Sequence, residues 1–266
     1  MIRVLFIIGL LLIASVGNST ADDGLNSLTN LANSGNVEAQ RKLGIAFLGG
    51  DNKNGILKNE KMGVYWLRLA AKNRDPVAQN YLGIAYWNGS GVIQNKKEAV
   101  HWYKEAAKNG ETYAQANLAF AYEFGIGTEQ NLDEAVRYYK MSANAGNKIG
   151  QFSLGLLYWT GKGVDEHHKN AVKWFSKAEA QGYIRAKTML GFAYLQDKGV
   201  FWGKDVSKAF TYFEAAAIDG EPEAQLMLGE AYLTGEHLAK NVKEGVSWLE
   251  KSASQEFFPA QEKLGL

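Results

Sequence analysis

The chain has 266 residues, a formal net charge of +1 and no cysteine. A near-neutral balance leaves no basic footprint for nucleic acid and no polybasic patch for anionic lipid. Without cysteine there is no disulfide framework, no thiolate metal site and no residue to carry a lipoprotein acyl group.

The first predicted element is a targeting segment over residues 1–21. Arg3 is its only charge, Val4 to Ala14 is an apolar run, and Ser19-Thr20-Ala21 supplies small residues before Asp22. This is the three-part pattern of a secretory signal peptide, with cleavage expected after Ala21. The run is shorter than the roughly 20 residues of a membrane span. Losing Arg3 takes Lys+Arg from 29 to 28 against 28 Asp+Glu, so the expected mature chain is formally neutral. The absence of disulfides in an exported chain favours a bacterial protein, periplasmic or secreted, that is not membrane-embedded after cleavage.

A ladder of small residues then runs to the C-terminus: Gly44, Gly83, Ala119, Gly155, Gly191, Gly229 and Gly265, in steps of 39, 36, 36, 36, 38 and 36 residues. Leu precedes every rung, and Ala or Gly lies five positions before it. Such a period marks stacked supersecondary units, each too thin to bury its own apolar face. The boundaries fall at about 33–74, 75–110, 111–146, 147–182, 183–220 and 221–255, with a half unit over 256–266. The first segment of each unit has helical periodicity, as in Asp75 to Asn88 and Asn147 to Thr160, and Pro76 and Pro222 sit where a first turn tolerates proline.

Glycines follow, as Gly89-x-Gly91, Gly125-x-Gly127, Gly161-x-Gly163, Gly199 and Gly235, and end that helix. A second helix carries Ala99-Val100-x-Trp102-Tyr103 and its counterparts, with Ala or Ser four residues past the first ring: Ala70, Ala106, Ser142, Ala178, Ala216 and Ser252. A ring and a small residue at i and i+4 share a face. Trp174 is therefore expected to fill the notch beside Ala178. Extra residues occur between the paired helices only, around Gly50 to Gly55 and Phe201 to Lys204, where insertions belong. The fold class is all-α, an α-solenoid of about six and a half helix-turn-helix repeats.

The motif running from Ala78 through Leu82-Gly83, Tyr86, Gly89-x-Gly91-Val92, Ala99, Trp102 and Ala106-Ala107 to Gly110 resembles the Sel-one-like repeat family, a relative of the tetratricopeptide repeat. The match is recognisable in every unit from Asn33 to Leu266. Departures are Ala119 on the ladder, a missing closing glycine in unit one, and Gly63 and Gly245 in place of the second-helix Ala. The resemblance implies a right-handed, tetratricopeptide-like superhelix that acts chiefly as a protein-binding scaffold, often exported in bacteria.

No catalytic constellation accompanies the repeat. H-E-x-x-H, G-x-S-x-G, S-x-x-K and P-loop motifs are missing, and only four His are present. Glu98-x-x-His101 has the spacing of one half of a di-iron motif, without a second copy. His167-His168 and His237 fall in turns. We therefore expect no enzyme activity, no cofactor and no metal site.

Counting 100° per residue from the ladder position places its minus-six, minus-three, plus-one and plus-four neighbours opposite the core. In the middle units these are Val77, Asn80, Ile84 and Trp87; Tyr113, Phe120 and Glu123; Phe152, Leu156 and Trp159; and Phe192. They are expected to line the inner surface and to bind a protein or peptide, because contiguous exposed apolar patches mark interaction sites. Tight packing between first helices is the competing explanation. An adaptor, a monomer that holds a peptide or partner protein and no nucleic acid, is the functional expectation. An envelope hydrolase or peptidoglycan-active factor, and a purely structural spacer, stand as alternatives.

Overall fold

The computed structural model describes residues 19–200 and 203–265. The targeting run before Ser19, together with Phe201 and Trp202 of the second insertion, lies outside the described residues. Among those described, the chain is a succession of helices with no strand: α1 (Ser19–Asn33), α2 (Val37–Gly49), α3 (Glu60–Lys72), α4 (Pro76–Asn88), α5 (Lys96–Lys108), α6 (Thr112–Phe124), α7 (Leu132–Asn144), α8 (Lys148–Thr160), α9 (His168–Glu179), α10 (Ile184–Gln196), α11 (Val206–Ile218), α12 (Pro222–Thr234), α13 (Val242–Ala253) and α14 (Phe258–Leu264). Even-numbered helices from α2 are the first helices of the units, and odd-numbered ones from α3 are the second. The insertion of unit one folds as a single 3-10 turn, Asn52–Asn54, closed by an Asp51–Ile56 bridge.

Capping explains the boundaries. Asn59, Asn95, Asn131, Asp205 and Asn241 each accept a backbone N–H of the first turn of a second helix, and Asn36, Asp75, Glu111, Asn147 and Glu221 do so for first helices. First helices close on a left-handed residue, which is Gly89, Gly125, Gly161 and Gly235 but Asp197 in unit five, so Gly199 is the second turn residue there and not the cap. That second glycine answers a different need. A Cβ on Gly91, Gly127 or Gly199 would collide with the backbone of Glu60, Lys96 or His168, the first turn of the preceding unit's second helix.

The ladder is a set of notches, and the plug is the second ring of each pair. A Cβ on Gly155 would stand 2.6 Å from Phe175, and the same holds for Gly83 with Tyr103 and Gly191 with Phe213. Phe175 and Phe213 are fully buried. Trp174 is only half-buried and lies under the Lys177 ammonium instead, which corrects the expectation that it fills the notch. Ala171, Phe175 and Ala178 lie at i, i+4 and i+7 and share the core face, and Trp174 is turned by about 100° from Phe175. In the first and last units the plug is a leucine, Leu67 or Leu249, and there Gly63 and Gly245 bring the backbones closer. A Cβ at either would stand 2.9 Å from the carbonyl of Gly44 or Gly229. The two glycine departures thus accompany the smaller plug.

A polar seam joins the units. The residue four before each rung is Gln40, Gln79, Gln151, Gln225 or Gln261, and its amide donates to a carbonyl at the end of the preceding second helix (Ala32, Ala71, Ala143, Ala217, Ala253) at 3.1 to 3.4 Å. Its oxygen accepts from the closing turn of its own unit: Asn109 for Gln79, Gln181 for Gln151 and Gln255 for Gln225. Where the corresponding donor position is Ala145, the buried Gln115 oxygen has no partner. In unit five Lys187 replaces the glutamine and pairs with Asp219 at 2.6 Å. Because Gln40 bonds to Ala32 in the same way, α1 occupies the place of a second helix ahead of unit one. Closing turns at Arg74 and Glu256 adopt positive φ without glycine.

Candidate functional site

First helices approach one another across units, α2 with α4 and α6 with α8, and no pair of second helices approaches as closely. The stack therefore curves with its first helices inside, and the residues opposite the notches belong to that inner face.

The four angular positions separate there. The minus-three residues Asn80, Ala116, Phe152 and Thr188 are buried, not solvent-facing. This corrects the expectation for Asn80 and Phe152. Each meets the following unit. Arg41 pairs with the Asp75 cap at 2.9 Å, and Asn80 accepts from Asn117 at 3.0 Å. Phe152 packs on Tyr183 with ring centroids 4.8 Å apart, and Thr188 donates to Glu221 at 3.2 Å. Tyr183 starts α10 without a side-chain cap bond, so an apolar minus-three residue accompanies an apolar cap position.

The plus-one and plus-four residues build a surface between units two and three. Trp87 leans on the Tyr103 plug and faces Phe120, with both centroid distances 6.1 Å. Phe120 lies 4.7 Å from Phe124. Phe120 and Phe124 are 42% and 50% exposed, although both are large and apolar. Ile84, Trp87, Tyr103, Asn117 and Phe120 enclose a recess of about 290 Å³. Burial pushes the Tyr103 phenol well above its ordinary range, so it stays protonated. Tyr113 is exposed two turns earlier on α6, and Val77 is half-buried on α4.

Glu123 departs from its expected role. It accepts from the buried Tyr139 hydroxyl at 3.0 Å and pairs with Lys162 at 2.9 Å. Desolvation, then the Glu123 charge, raises the Tyr139 phenol far above its ordinary value. The three groups satisfy one another and tie unit three to unit four, so Glu123 is a strut and not a free acid. In unit four, Leu156 is half-buried against the core, while Trp159 sits between Phe175 (6.1 Å) and His168 (4.9 Å). Phe192 lies half-buried on the Phe213 plug. The structure thus brings Ile84, Trp87 and Phe120 together and adds Phe124 and Asn117, which the angular count did not select. Phe124 precedes the Gly125 cap at the last turn of α6, and its bulk beside a terminating glycine was the available signal.

Cations lie on this aromatic row. Lys96 Nζ stands 4.2 Å from the Trp87 ring and donates to the Trp87 carbonyl at 2.6 Å. Lys162 Nζ is 4.4 Å from Phe124, and Lys198 Nζ is 5.5 Å from Trp159. His101 is exposed on α5, and among the described residues no group of three His, Asp or Glu is placed to hold a metal ion. Nor, among them, is any helix long and apolar enough to cross a membrane.

A curved stack of helix pairs with an aromatic inner face defines a solenoid scaffold. Six segments, 37–75, 76–111, 112–147, 149–183, 184–221 and 222–257, match the Sel1 repeat, and the chain belongs to that family. Sel1 repeat proteins generally mediate protein–protein interactions and are typically scaffolds without enzymatic activity. A Sel1 repeat protein from Oxalobacter formigenes superposes with a TM-score of 0.78 at 28% identity, over 88% of this chain and 92% of that one. The c5321 protein, a protective antigen present in uropathogenic Escherichia coli strains, gives 0.74 at 32% identity over 91% of this chain and 50% of its own. This chain thus spans half the length of c5321. The Pseudomonas aeruginosa immunity protein PA5088 shares the fold at 18% identity and a TM-score of 0.54, over 82% of this chain and 80% of that one. No curated protein matches the chain.

Proposed function

We infer that this is an exported adaptor that holds a peptide or partner protein along the inner face of units two to four. The observation that carries the reading is the row Trp87, Phe120 and Phe124. These side chains border the concave face, two of them are widely exposed, and the notch-and-plug core is complete without them. Large exposed aromatics beside a recess are the usual anchors of protein recognition. The pattern of residues 1–21 supports export to the periplasm or beyond, with the mature chain starting at Asp22. The adaptor needs no cofactor and acts as a monomer.

Affinity capture from the native envelope tests it, comparing wild type with a Trp87→Ala/Phe120→Ser double variant. Partners should be recovered by the first and lost by the second, while both melt within a few degrees of each other. Equal recovery by both proteins would exclude this face. N-terminal sequencing of osmotic-shock material should read from Asp22, and an intact Met1 in cytosol would overturn the export reading.

A further inference from the structure

The cations on the inner face add something that the aromatic row alone does not. Along units two to four the side chains that rest on its rings are lysines: Lys96 on Trp87, Lys162 on Phe124 and Lys198 on Trp159. Lys162 and Lys198 come from inter-helix turns and Lys96 from the first residue of α5, and each rests against a ring, so a positive charge is held at the margin of each apolar contact. Lys162 is neutralised by Glu123, which also accepts from Tyr139, so its charge is already engaged within the stack. Lys96 and Lys198 make no ion pair among the described residues. The remaining polar lining of the recess is Asn117, whose amide is turned to Asn80.

Resting on the adaptor reading, we propose that the occupant is an acidic, extended peptide segment, with one apolar side chain in the Ile84–Trp87–Phe120 recess and carboxylates on Lys96 and Lys198. Charge complementarity selects the sign, since a basic ligand would meet two uncompensated ammonium groups and one acid already in use. Geometry selects the length. First helices of successive units stand about 10 Å apart, so Lys96 and Lys198 bracket about six residues of extended chain at about 3.3 Å each. Single-stranded nucleic acid also combines stacking with phosphate contacts. Here, however, the lysines cover the ring faces that bases would need, and the chain as a whole carries only +1.

Panning a phage library of random 12-residue peptides over the purified protein tests the idea. The best sequence is then synthesised and titrated by fluorescence polarisation. Enriched peptides should carry net negative charge around an aromatic or aliphatic residue. Lys96→Glu with Lys198→Glu should weaken the selected peptide by at least about tenfold. Lys96→Met with Lys198→Met, which keeps the stems over the rings, should weaken it less but measurably. Lys96→Arg with Lys198→Arg should retain it, and all variants should keep the wild-type melt. Enrichment of neutral or basic peptides that still need Phe120 would overturn the acidic occupant and leave the adaptor reading standing. No enrichment at all would sink both. Displacement of the selected peptide by a twelve-nucleotide oligo-dT would reassign the face to single strands.

Discussion

The seam between helices and the inner face are built from the same first helices under opposite rules. On the seam the chemistry is nearly invariant: a small residue on the rung, Leu before it, a ring or Leu as plug, and a Gln four before the rung. Lys187 changes together with Asp219, and Gly63 and Gly245 accompany their leucine plugs, while Ala145 leaves the Gln115 oxygen without a partner. On the inner face, one turn away, plus-four is Trp87, Glu123, Trp159 and Leu195 in successive units, and of these Glu123 is taken up by the stack through the Tyr139 hydroxyl and Lys162. A position repeated in every unit serves the stack. One that varies serves the stack where it meets the next unit, as the buried minus-three residues do, and is open to a partner where it stays exposed, as Phe120 does.

Breaking the seam gives the largest effect. Phe175→Ala leaves an empty notch at Gly155 and should destabilise by about 3–5 kcal/mol, spreading to neighbouring units because stability along a solenoid is shared. Trp174→Ala, one residue earlier and half-buried, should remain within about 1–2 kcal/mol. Urea titration of both variants measures the difference, and a larger loss at Trp174 would reverse the assignment of plug and neighbour.

A smaller effect separates two glycines that have similar φ. Gly127 and Gly110 lie at +75° and +83°, but a Cβ on Gly127 meets the Lys96 backbone while one on Gly110 meets nothing. Alanine at Gly110 should cost about 1 kcal/mol, the left-handed penalty alone. Alanine at Gly127 should cost at least about 2 kcal/mol, because a backbone must also move. Equal melting temperatures for the two would show that the close approach is unimportant.

The smallest effect is electrostatic. Desolvation raises the carboxyl of Glu111, the cap of α6, above its ordinary range, with the Ala114 amide opposing. The penalty is present while the group is charged in both states, and it lessens as pH falls and the folded state takes up the proton first. Glu111→Gln should therefore be more stable than wild type at pH 7, and its advantage should shrink toward pH 4.5. Thermal melts across that window check the sign.

Helix boundaries were legible because caps and breakers are local: Asp75 with Pro76 and Gly89 mark α4 without reference to any neighbour. The notch was legible because Leu82-Gly83 and its copies recur at fixed steps. Two things were not. The angular count divides a helix into core and solvent, yet a first helix also touches the next unit, so the minus-three residues Asn80 and Phe152 are buried against Asn117 and Tyr183. The plug was placed one residue early because Trp174 is the larger ring, although the i, i+4, i+7 set is Ala171, Phe175 and Ala178. The place of α1 was readable in Gly35, which stands five before Gln40 as Gly110 does before Gln115. It was obscured by the targeting pattern that overlaps its start. Of the site, aromatic character was visible in the sequence, while the lysines that border it lie in or just after the inter-helix turns, and their reach depends on the folded turn.

The glutamine seam also governs how this protein can change length. Its bonds run from one unit's first helix to the preceding second helix and to its own closing turn, so the junctions that carry a glutamine present it in the same register. Excising residues 112–147 would join Glu111 to Lys148, give α8 a new cap and set Gln151 next to the end of α5, in the place that Gln115 holds in the sequence. A genetic recombination event removing one whole period would leave a continuous solenoid, shorter by one helix pair and without Phe120 and Phe124. An excision one residue longer or shorter would turn Gln151 away from the second helix that precedes it. Lineages can thus gain or lose binding surface in whole periods while the stacking chemistry stays the same.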